Sequence, residues 1–503
     1  MPAVRAAPYA PVKEHIQEPP VSARKLLTKG NIWSIIPEEW ALPPKSECQV
    51  INMETQRPST PLFSNRALVN LTVPIALNSL MAIFMGMADS IMVSSAGAAA
   101  VSAVSLVDAL NNVFTTAFDA IPIGGSVVTS QYIGARQYEK AKASVCQILY
   151  SGFTIAVICM TLLLCFRKQV LNLIYGTIEQ DVFDNAVTYF TLTLISFPFL
   201  VIGCTSTATL RAMAKSRQAV TITITVNFLN VIGNAILIYG FKIGVAGAAI
   251  STTLARIVWC VWGVLAMQSK KLPMQVDKIF PIRLDWDIMK RVLRVGSANG
   301  FENALFYVGR LLVSSLVASL GTVYIAAYSL ASNLNNFGWT MTGAFTTSSM
   351  TVVGQCVGAG EKAQARQNAK KLLMAATVTM VISFSLVAIF SHQLVSLYDL
   401  TPEELDVAAY HTRFAAILTI FTGYSLSFVP MGSFRAAGDI RYPMVVTIAT
   451  MFIFRVAFSY LLCYGFHLGL MSVWIGMAAD WVCRTVLNSV HFIRGKWLDK
   501  KLI

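Results

Sequence analysis

The sequence predicts an all-α integral membrane protein with twelve transmembrane helices, arranged as two parallel six-helix repeats. Three observations lead to this prediction. The 503-residue chain is 55% hydrophobic and only 13% charged, whereas soluble domains carry about 25% charged residues. Its apolar runs are long and continuous, unlike the alternating segments of about ten residues that build membrane barrels. Finally, the stretch Ala96–Ala135 recurs in part at Leu320–Ala359.

Residues 1–65 differ in composition from the rest of the chain, because they hold ten of its 18 prolines, interleaved with charges. This composition predicts a cytoplasmic tail that is disordered or associated with a surface. Trp33 and Trp40 could lie at the membrane surface, and an unstructured extension is the alternative. The beginning of the chain has no apolar core followed by a cleavage site, so no secretory signal peptide is predicted.

Twelve apolar runs follow the tail, and each is long enough to cross a bilayer as a helix. Their approximate spans are 67–94, 107–133, 144–166, 186–209, 218–240, 246–268, 292–320, 326–356, 370–391, 407–432, 442–465 and 470–493. They predict an N-lobe at 66–268, a cytoplasmic linker at 269–291, a C-lobe at 292–495 and a cytoplasmic tail at 496–503.

The positive charges predict the orientation. Connections after the odd-numbered spans hold only three Lys or Arg residues, Arg167, Lys168 and Lys242, whereas those after the even-numbered spans are rich in both. Positive loops stay on the cytoplasmic side, so both termini are predicted to be cytoplasmic in a multi-pass protein of the cell membrane. The net charge of +14 therefore indicates membrane orientation and no nucleic-acid partner.

The internal repeat aligns Ala96–Ala135 with Leu320–Ala359, and thirteen of the 40 pairs are identical, against about three expected by chance from average usage. Gln131 and Gln355 are one such pair, each three residues before a Gly-Ala pair, and we interpret them as packing at a hinge or gate. Six helices separate the copies, so both halves insert in the same direction. Parallel repeats of this kind are a transporter architecture.

Several motifs resemble the multidrug and toxic compound extrusion (MATE) family. They are MGMADSIMVSSAGAAAVSAVSL, GGSVVTSQYIGAR, NFLNVIGNAILIYGFKIGVAGAAISTTLAR and the short loops LRAMAKSRQ and FRAAGDIRYP. The C-terminal half, with GFENALFYVGRLLVSSLVASLG, is most similar to the DinF-like bacterial branch. The resemblance implies two rocking lobes that export small organic compounds, often cationic, in exchange for H⁺ or Na⁺. It implies no cofactor beyond that coupling ion, and we expect a monomer.

Asp89 is the first candidate for the coupling-ion site. A charge inside a span costs roughly 2.5–3.5 kcal/mol on insertion scales and usually faces a water-filled cavity or a partner. Pro74, fifteen residues earlier, permits a bend in the same helix. Asp89 matches the family's first-helix aspartate, which binds the coupling ion. A carboxylate there can take up a proton or ligate Na⁺, and the alternative is a hydrogen-bonded structural acid.

Three asparagines of the fifth span, Asn227, Asn230 and Asn234, extend this candidate site. Asn230 and Asn234 are one helical turn apart. Asn230 matches the family's helix-5 asparagine that faces the acid. Asn234 stands where some members carry an aspartate, so one carboxylate is expected here instead of two. Plain packing between helices is the alternative role for these amides.

Five residues are candidates for the substrate cavity or its gating: Asp119, Glu302, Arg310, Met85 and Trp339. Asp119 in the second span is expected either to form a site or to pair statically with Arg256. Glu302 falls in the region where the family carries a helix-7 glutamate, and an ion pair with Arg310 is its alternative role. Met85 and Trp339 offer an adaptable apolar wall, with core packing as the alternative.

Arg455, Asp480 and Arg484 are predicted to form a structural charge cluster, because Asp480 and Arg484 are helical neighbours and the three charges can compensate one another. The sequence has no catalytic motif such as His-Glu-x-x-His or Gly-x-Ser-x-Gly, and its five histidines are isolated. It therefore predicts no catalytic residue, no metal site and no enzyme. A flippase for lipid-linked precursors, from the same broad superfamily, is the alternative function.

Overall fold

The computed structural model describes residues 61–95, 97–176, 179–277, 279, 282–398, 401–500 and 502–503. Within these ranges every regular element is a helix, which confirms the all-α prediction. Residues 1–60 of the predicted tail, including Trp33 and Trp40, lie outside the described residues.

Twelve helical spans, α1 to α12, account for most of the described chain. They are Asn65–Ser94, Ala98–Gly134, Tyr138–Cys165, Gln180–Ile195 with Phe197–Ala212, Ser216–Asn234 with Ala235–Gly240, Val245–Met267, Trp286–Ala318, Thr322–Gly358, Lys362–Ile389, Pro402–Phe421 with Tyr424–Ala437, Arg441–Thr450 with Met451–Phe458 and Ser459–Phe466, and Met471–Arg494. Ten of these spans, all except α8 and α12, are long and apolar enough to cross a membrane, with each bent pair taken as one span. With 37 and 24 residues, α8 and α12 also have the length to cross a bilayer.

Spans α4 and α10 are each broken in the middle, a feature that the lengths of the apolar runs did not predict. The two halves meet at 48° in α4 and at 54° in α10. In α4 the break at Ser196 is followed by Pro198, which lacks a backbone N–H. In α10 the break lies at Gly423, whose φ of 67° is the left-handed conformation that favours glycine. Each break therefore has a local cause.

The structure repeats as the aligned sequences predict. Spans α2 and α3 have the same lengths as α8 and α9, and they begin and end at equivalent positions of the two repeats. Gly97 and Gly321 precede α2 and α8 with φ values of 103° and 110°. Only glycine adopts this backbone without strain, so both copies enter their second helix through the same turn.

Two spans contain a π-helical segment, and each segment adjoins candidate site residues. In α5 it covers Ala235–Gly240 and begins directly after Asn234. In α11 it covers Met451–Phe458 and contains Arg455. π-helical turns are rare and occur frequently at functional sites. The two repeats therefore share an irregular helix beside their polar groups.

The first helix of each repeat packs partly against the other repeat. Leu68, Leu71 and Ile75 of α1 belong to a buried cluster with residues of α8, α9 and α10. In α7, Val292 and Val295 belong to a cluster with residues of α2, α3 and α5. Because these contacts cross from one repeat to the other, the beginnings of α1 and α7 link the two halves of the molecule.

The two repeats also meet directly through a reciprocal pair of hydrogen bonds. Gln131 Nε2 donates to the Ala436 carbonyl at 2.6 Å, and Gln355 Nε2 donates to the Ala212 carbonyl at 2.6 Å. Both glutamine side chains are buried. These contacts lie at the carboxyl ends of α2, α4, α8 and α10, the side predicted to be cytoplasmic. The conformation described therefore holds the lobes together at this end.

Two glycines permit the close approach of α2 and α8 at this end. A Cβ atom on Gly134 would lie 2.0 Å from the Gln355 carbonyl oxygen, and one on Gly358 would lie 1.9 Å from that of Gln131. Real Cβ atoms essentially never approach another atom so closely. Any larger residue must therefore move the two helices apart.

We predict that Gly134→Ala separates the lobes at this end. The measurement is the distance between spin labels at Lys140 and Ala363, two exposed positions in the first turns of α3 and α9, determined by double electron–electron resonance. Gly343→Ala in α8 is the matched control, because a Cβ there meets nothing within 4 Å. A longer distance is expected for Gly134→Ala only. An unchanged distance would contradict the packing described here.

Candidate functional site

The first polar site lies between α1 and α5 and contains Asp89. Asn234 Nδ2 donates to Asp89 Oδ1 at 2.8 Å. With the Asn230 amide oriented so that both its ends are satisfied, its nitrogen donates to both carboxylate oxygens at 3.2 Å, and its oxygen accepts from Thr252. The structure therefore brings Asp89, Asn230 and Asn234 together. Asn227 is half-buried and forms no side-chain hydrogen bond with any other described residue.

A second acid, Asp108 of α2, lies near Asp89 and was missed by sequence reasoning. Its Oδ1 accepts a hydrogen bond from the Tyr189 hydroxyl at 3.1 Å, and Asn111 and Arg256 are further polar neighbours. Asp108 and Asp89 are close enough to repel each other electrostatically. The signal that identified Asp89, a carboxylate inside an apolar span, also applies to Asp108.

Asp119 does not pair with Arg256, so one of its two predicted roles, the static ion pair, is wrong. Asp119 has the Cys204 thiol and the Arg211 guanidinium as polar neighbours. Arg256 Nη1 instead donates to Ser196 Oγ at 2.6 Å, at the break in α4. Arg256 has Asp108, and not Asp119, as its nearby carboxylate.

Glu302 pairs with Arg435, and the predicted alternative of an ion pair with Arg310 is wrong. Arg435 Nη2 lies 2.6 Å and 2.7 Å from the two carboxylate oxygens, and both side chains are largely buried. Arg435 belongs to the broken span α10, so sequence spacing from Glu302 gave no sign of it. This ion pair joins α7 to the end of α10.

The structure brings together Arg455, Asp480 and Arg484. Asp480 Oδ2 lies 3.0 Å from Arg455 Nη2, and Asp480 Oδ1 lies 2.6 Å from Arg484 Nε. Arg484 also donates to Thr450 Oγ1 at 2.8 Å. All three charged side chains are deeply buried. Asp480 therefore forms ion pairs with Arg484 of its own helix, α12, and with Arg455 of the neighbouring helix, α11.

A cavity of about 230 Å³ lies beside this cluster, and Arg310, Trp339 and Arg455 are among its lining residues. The Trp339 ring contacts those of Tyr424 and Trp481. Met85 is half-buried on α1 and is not among the lining residues. Two of the predicted cavity residues, Arg310 and Trp339, thus share one cavity, whereas Asp119 and Glu302 lie outside it.

Comparisons with known proteins agree with this fold. A family model described as MatE matches residues 74–236 and 299–461, once in each repeat. The uncharacterized transporter YisQ of Bacillus subtilis is 25% identical over 88% of this chain and 97% of its own length. The probable multidrug resistance protein NorM of Thermotoga maritima is 24% identical over 87% of this chain and 94% of its own. A crystal structure of MATE in a bent conformation is 19% identical, covers 86% of this chain and 96% of its own, and superposes with a TM-score of 0.80.

We predict that Glu302→Gln costs about 3–5 kcal/mol in the free energy of unfolding, because it leaves a buried arginine without its partner. The measurement is denaturant-induced unfolding of the purified protein in detergent. Lys362→Gln is the matched control, since it breaks the exposed ion pair with Asp499, and such pairs contribute about 0–1 kcal/mol. The double variant Glu302→Gln/Arg435→Gln should recover much of the loss. Equal losses in Glu302→Gln and Lys362→Gln would contradict a stabilising role for this pair.

Proposed function

The chain belongs to the MatE family of compound-exporting membrane transporters, and on this premise we propose that it is a secondary-active antiporter. It exports small organic compounds, cationic or amphipathic, across the cell membrane in exchange for H⁺ or Na⁺. Both termini lie in the cytoplasm, and the working unit is a monomer. The observation that carries this proposal is the carboxylate of Asp89, surrounded by two amides inside an apolar bundle.

Ion binding at Asp89 changes the hydrogen bonds that the neighbouring amides can form with it. The ionised carboxylate accepts hydrogen bonds and therefore attracts the amide nitrogens of Asn230 and Asn234. A protonated Asp89 gains one O–H donor and keeps an acceptor oxygen, and Na⁺ requires oxygen ligands, so either ion favours at least one amide oxygen beside the carboxyl group. An asparagine presents its oxygen after a half-turn of the amide. Ion binding at Asp89 therefore changes the side-chain contacts of α5 at the beginning of its π-helical segment.

Span α1 connects this event to the contact between the lobes. Its first half packs against the second repeat through Leu68 and Leu71, whereas Asp89 in its second half is bonded to α5 of the first repeat. Pro74 lies between the two parts and removes a backbone donor. A change at Asp89 that bends or shifts α1 therefore alters how the repeats pack, which is the requirement for alternating access.

We predict that a gradient drives transport in the wild type and that Asp89→Asn abolishes it. The purified protein is placed in sealed liposomes with a fluorescent organic cation, and a Na⁺ gradient and a pH gradient are imposed separately. The gradient that drives transport identifies the coupling ion. Asp89→Asn should insert and fold normally, because an amide still forms hydrogen bonds there. Asp181→Asn, an exposed acid in the first turn of α4, is the matched control and should transport normally.

Two outcomes would contradict the proposal in different ways. Transport by Asp89→Asn at the wild-type rate would refute the coupling site and leave the antiporter function standing. Absence of gradient-driven transport in the wild type, for the organic cation and for an anionic aromatic compound alike, would refute the antiporter, and lipid-linked precursors would then be assayed for flipping.

A further inference from the structure

The cavity in the second repeat is built differently from the Asp89 site. It lies between α7, α8, α10, α11 and α12, whereas Asp89 and its partners belong to α1 and α5. Its volume of about 230 Å³ lies just below the range of small-molecule sites. Charged, hydrogen-bonding and aromatic side chains line it.

Positive charge is in excess around the cavity. Arg310 and Arg455 line it, and Arg484 lies behind Arg455 on the shared carboxylate of Asp480. Glu302 of α7 is paired with Arg435 outside the cavity. Arg310 forms no ion pair with any residue in the described ranges. Around the cavity there are thus three guanidinium groups and one carboxylate, and only Arg455 and Arg484 contact that carboxylate.

The cavity region also has an excess of hydrogen-bond donors. Four buried nitrogens find no acceptor among the residues that the structure describes: Arg455 Nε, Arg484 Nη1, Trp339 Nε1 and Trp481 Nε1. A buried donor without a partner costs about 1–3 kcal/mol, and more when it is charged. Natural proteins pair nearly all such groups, so an unpaired set requires an explanation. Arg455, Trp339 and Trp481 line the cavity, whereas Arg484 does not. A ligand that supplies acceptor oxygens is therefore a source of partners for the first three side chains.

The aromatic side chains of the cavity favour a ligand with a ring. The Trp481 ring lies 6.1 Å from the ring of Trp339 and 5.2 Å from that of Tyr424, both at steep angles. The Arg455 guanidinium lies 5.4 Å from the centre of the Phe306 ring. Edges and faces of this kind pack against planar rings. The cavity therefore combines guanidinium groups, which donate hydrogen bonds, with aromatic side chains.

We propose that this cavity binds an aromatic carboxylate, with the carboxylate at Arg310 and Arg455 and the ring against Trp339 and Trp481. The proposal rests on the transporter function proposed above and specifies its substrate class as organic anions with an aromatic ring. It differs from the cationic class that the family resemblance implies. The two repeats would then divide the work, with the coupling cation at Asp89 in the first and the anionic substrate in the second.

The test compares three ligands that share one ring system and differ in charge: 1-naphthoate, 1-naphthalenemethanol and 1-naphthylmethylammonium. Binding to the purified full-length protein in detergent is measured by isothermal titration calorimetry, with empty micelles as the baseline. We expect 1-naphthoate to bind most tightly and the cation most weakly. This equilibrium measurement needs no ion gradient, so a failure of the antiporter function does not affect it.

Two variants locate the binding. Arg310→Gln removes a charge that has no ion-pair partner within the described chain, so folding should be unaffected, and the affinity for 1-naphthoate should fall about tenfold or more. Trp339→Phe keeps a ring, removes an unpaired donor and should weaken binding severalfold. Arg441→Gln, an exposed arginine at the beginning of α11, is the matched control and should bind like the wild type.

Several results would overturn the inference. These are equal or tighter binding of the naphthyl cation, equal affinities of Arg310→Gln and Arg441→Gln, and binding of inorganic phosphate with no binding of 1-naphthoate. If gradient-driven transport of other compounds is found while 1-naphthoate does not bind, the inference fails and the proposed function stands. If 1-naphthoate binds as expected while no gradient drives transport of either the organic cation or 1-naphthoate, the inference stands and the antiporter fails.

Discussion

Charges buried inside a membrane bundle must be compensated by the protein itself, because the bilayer core supplies neither water nor counter-ions. The ion pair of Glu302 with Arg435 and the cluster around Asp480 meet this requirement and join helices that are distant in sequence. Asp89 is half-buried and is held by neutral amides. Arg310 is exposed at the cavity and has no ion pair within the described residues. These are the two charges to which we assign ligand binding.

The two repeats share a backbone and differ in electrostatics. When the Tyr-Gly-Phe sequences at the ends of α5 and α11 are aligned, Asn230, beside the acid of the first repeat, has Arg455 as its counterpart. In the alignment of α2 with α8, Asp108 has Ser332 as its counterpart. Both pairs change the local charge in the same direction, towards positive in the second repeat. Because α2 and α8 begin and end at equivalent positions, this divergence in charge leaves the length and register of these helices unchanged. Under our proposals it gives the two lobes different ligand classes.

Sequence reasoning predicted the twelve spans and the repeat because apolar length and self-similarity are local or additive signals. It also brought Asp89 together with Asn230 and Asn234, through helical spacing and the family resemblance. It failed for Asp119 and Glu302, whose partners depend on where the bent spans α4 and α10 place their arginines. The bends and crossing angles of the helices decide which residues meet between helices. The spacing of residues along one helix does not predict these partners. The cavity in the second repeat is formed by residues of five spans, so its lining could not be predicted from the sequence either.

The most direct test of the central claim is ion binding at Asp89 without transport. Proton release and ²²Na⁺ binding are measured on the purified protein in detergent, for the wild type and for Asp89→Asn. Our account predicts that the wild type binds one of the two ions reversibly and that Asp89→Asn loses this binding while remaining folded. Unchanged ion binding in Asp89→Asn would contradict the account, because the coupling ion would then have to bind elsewhere in the bundle.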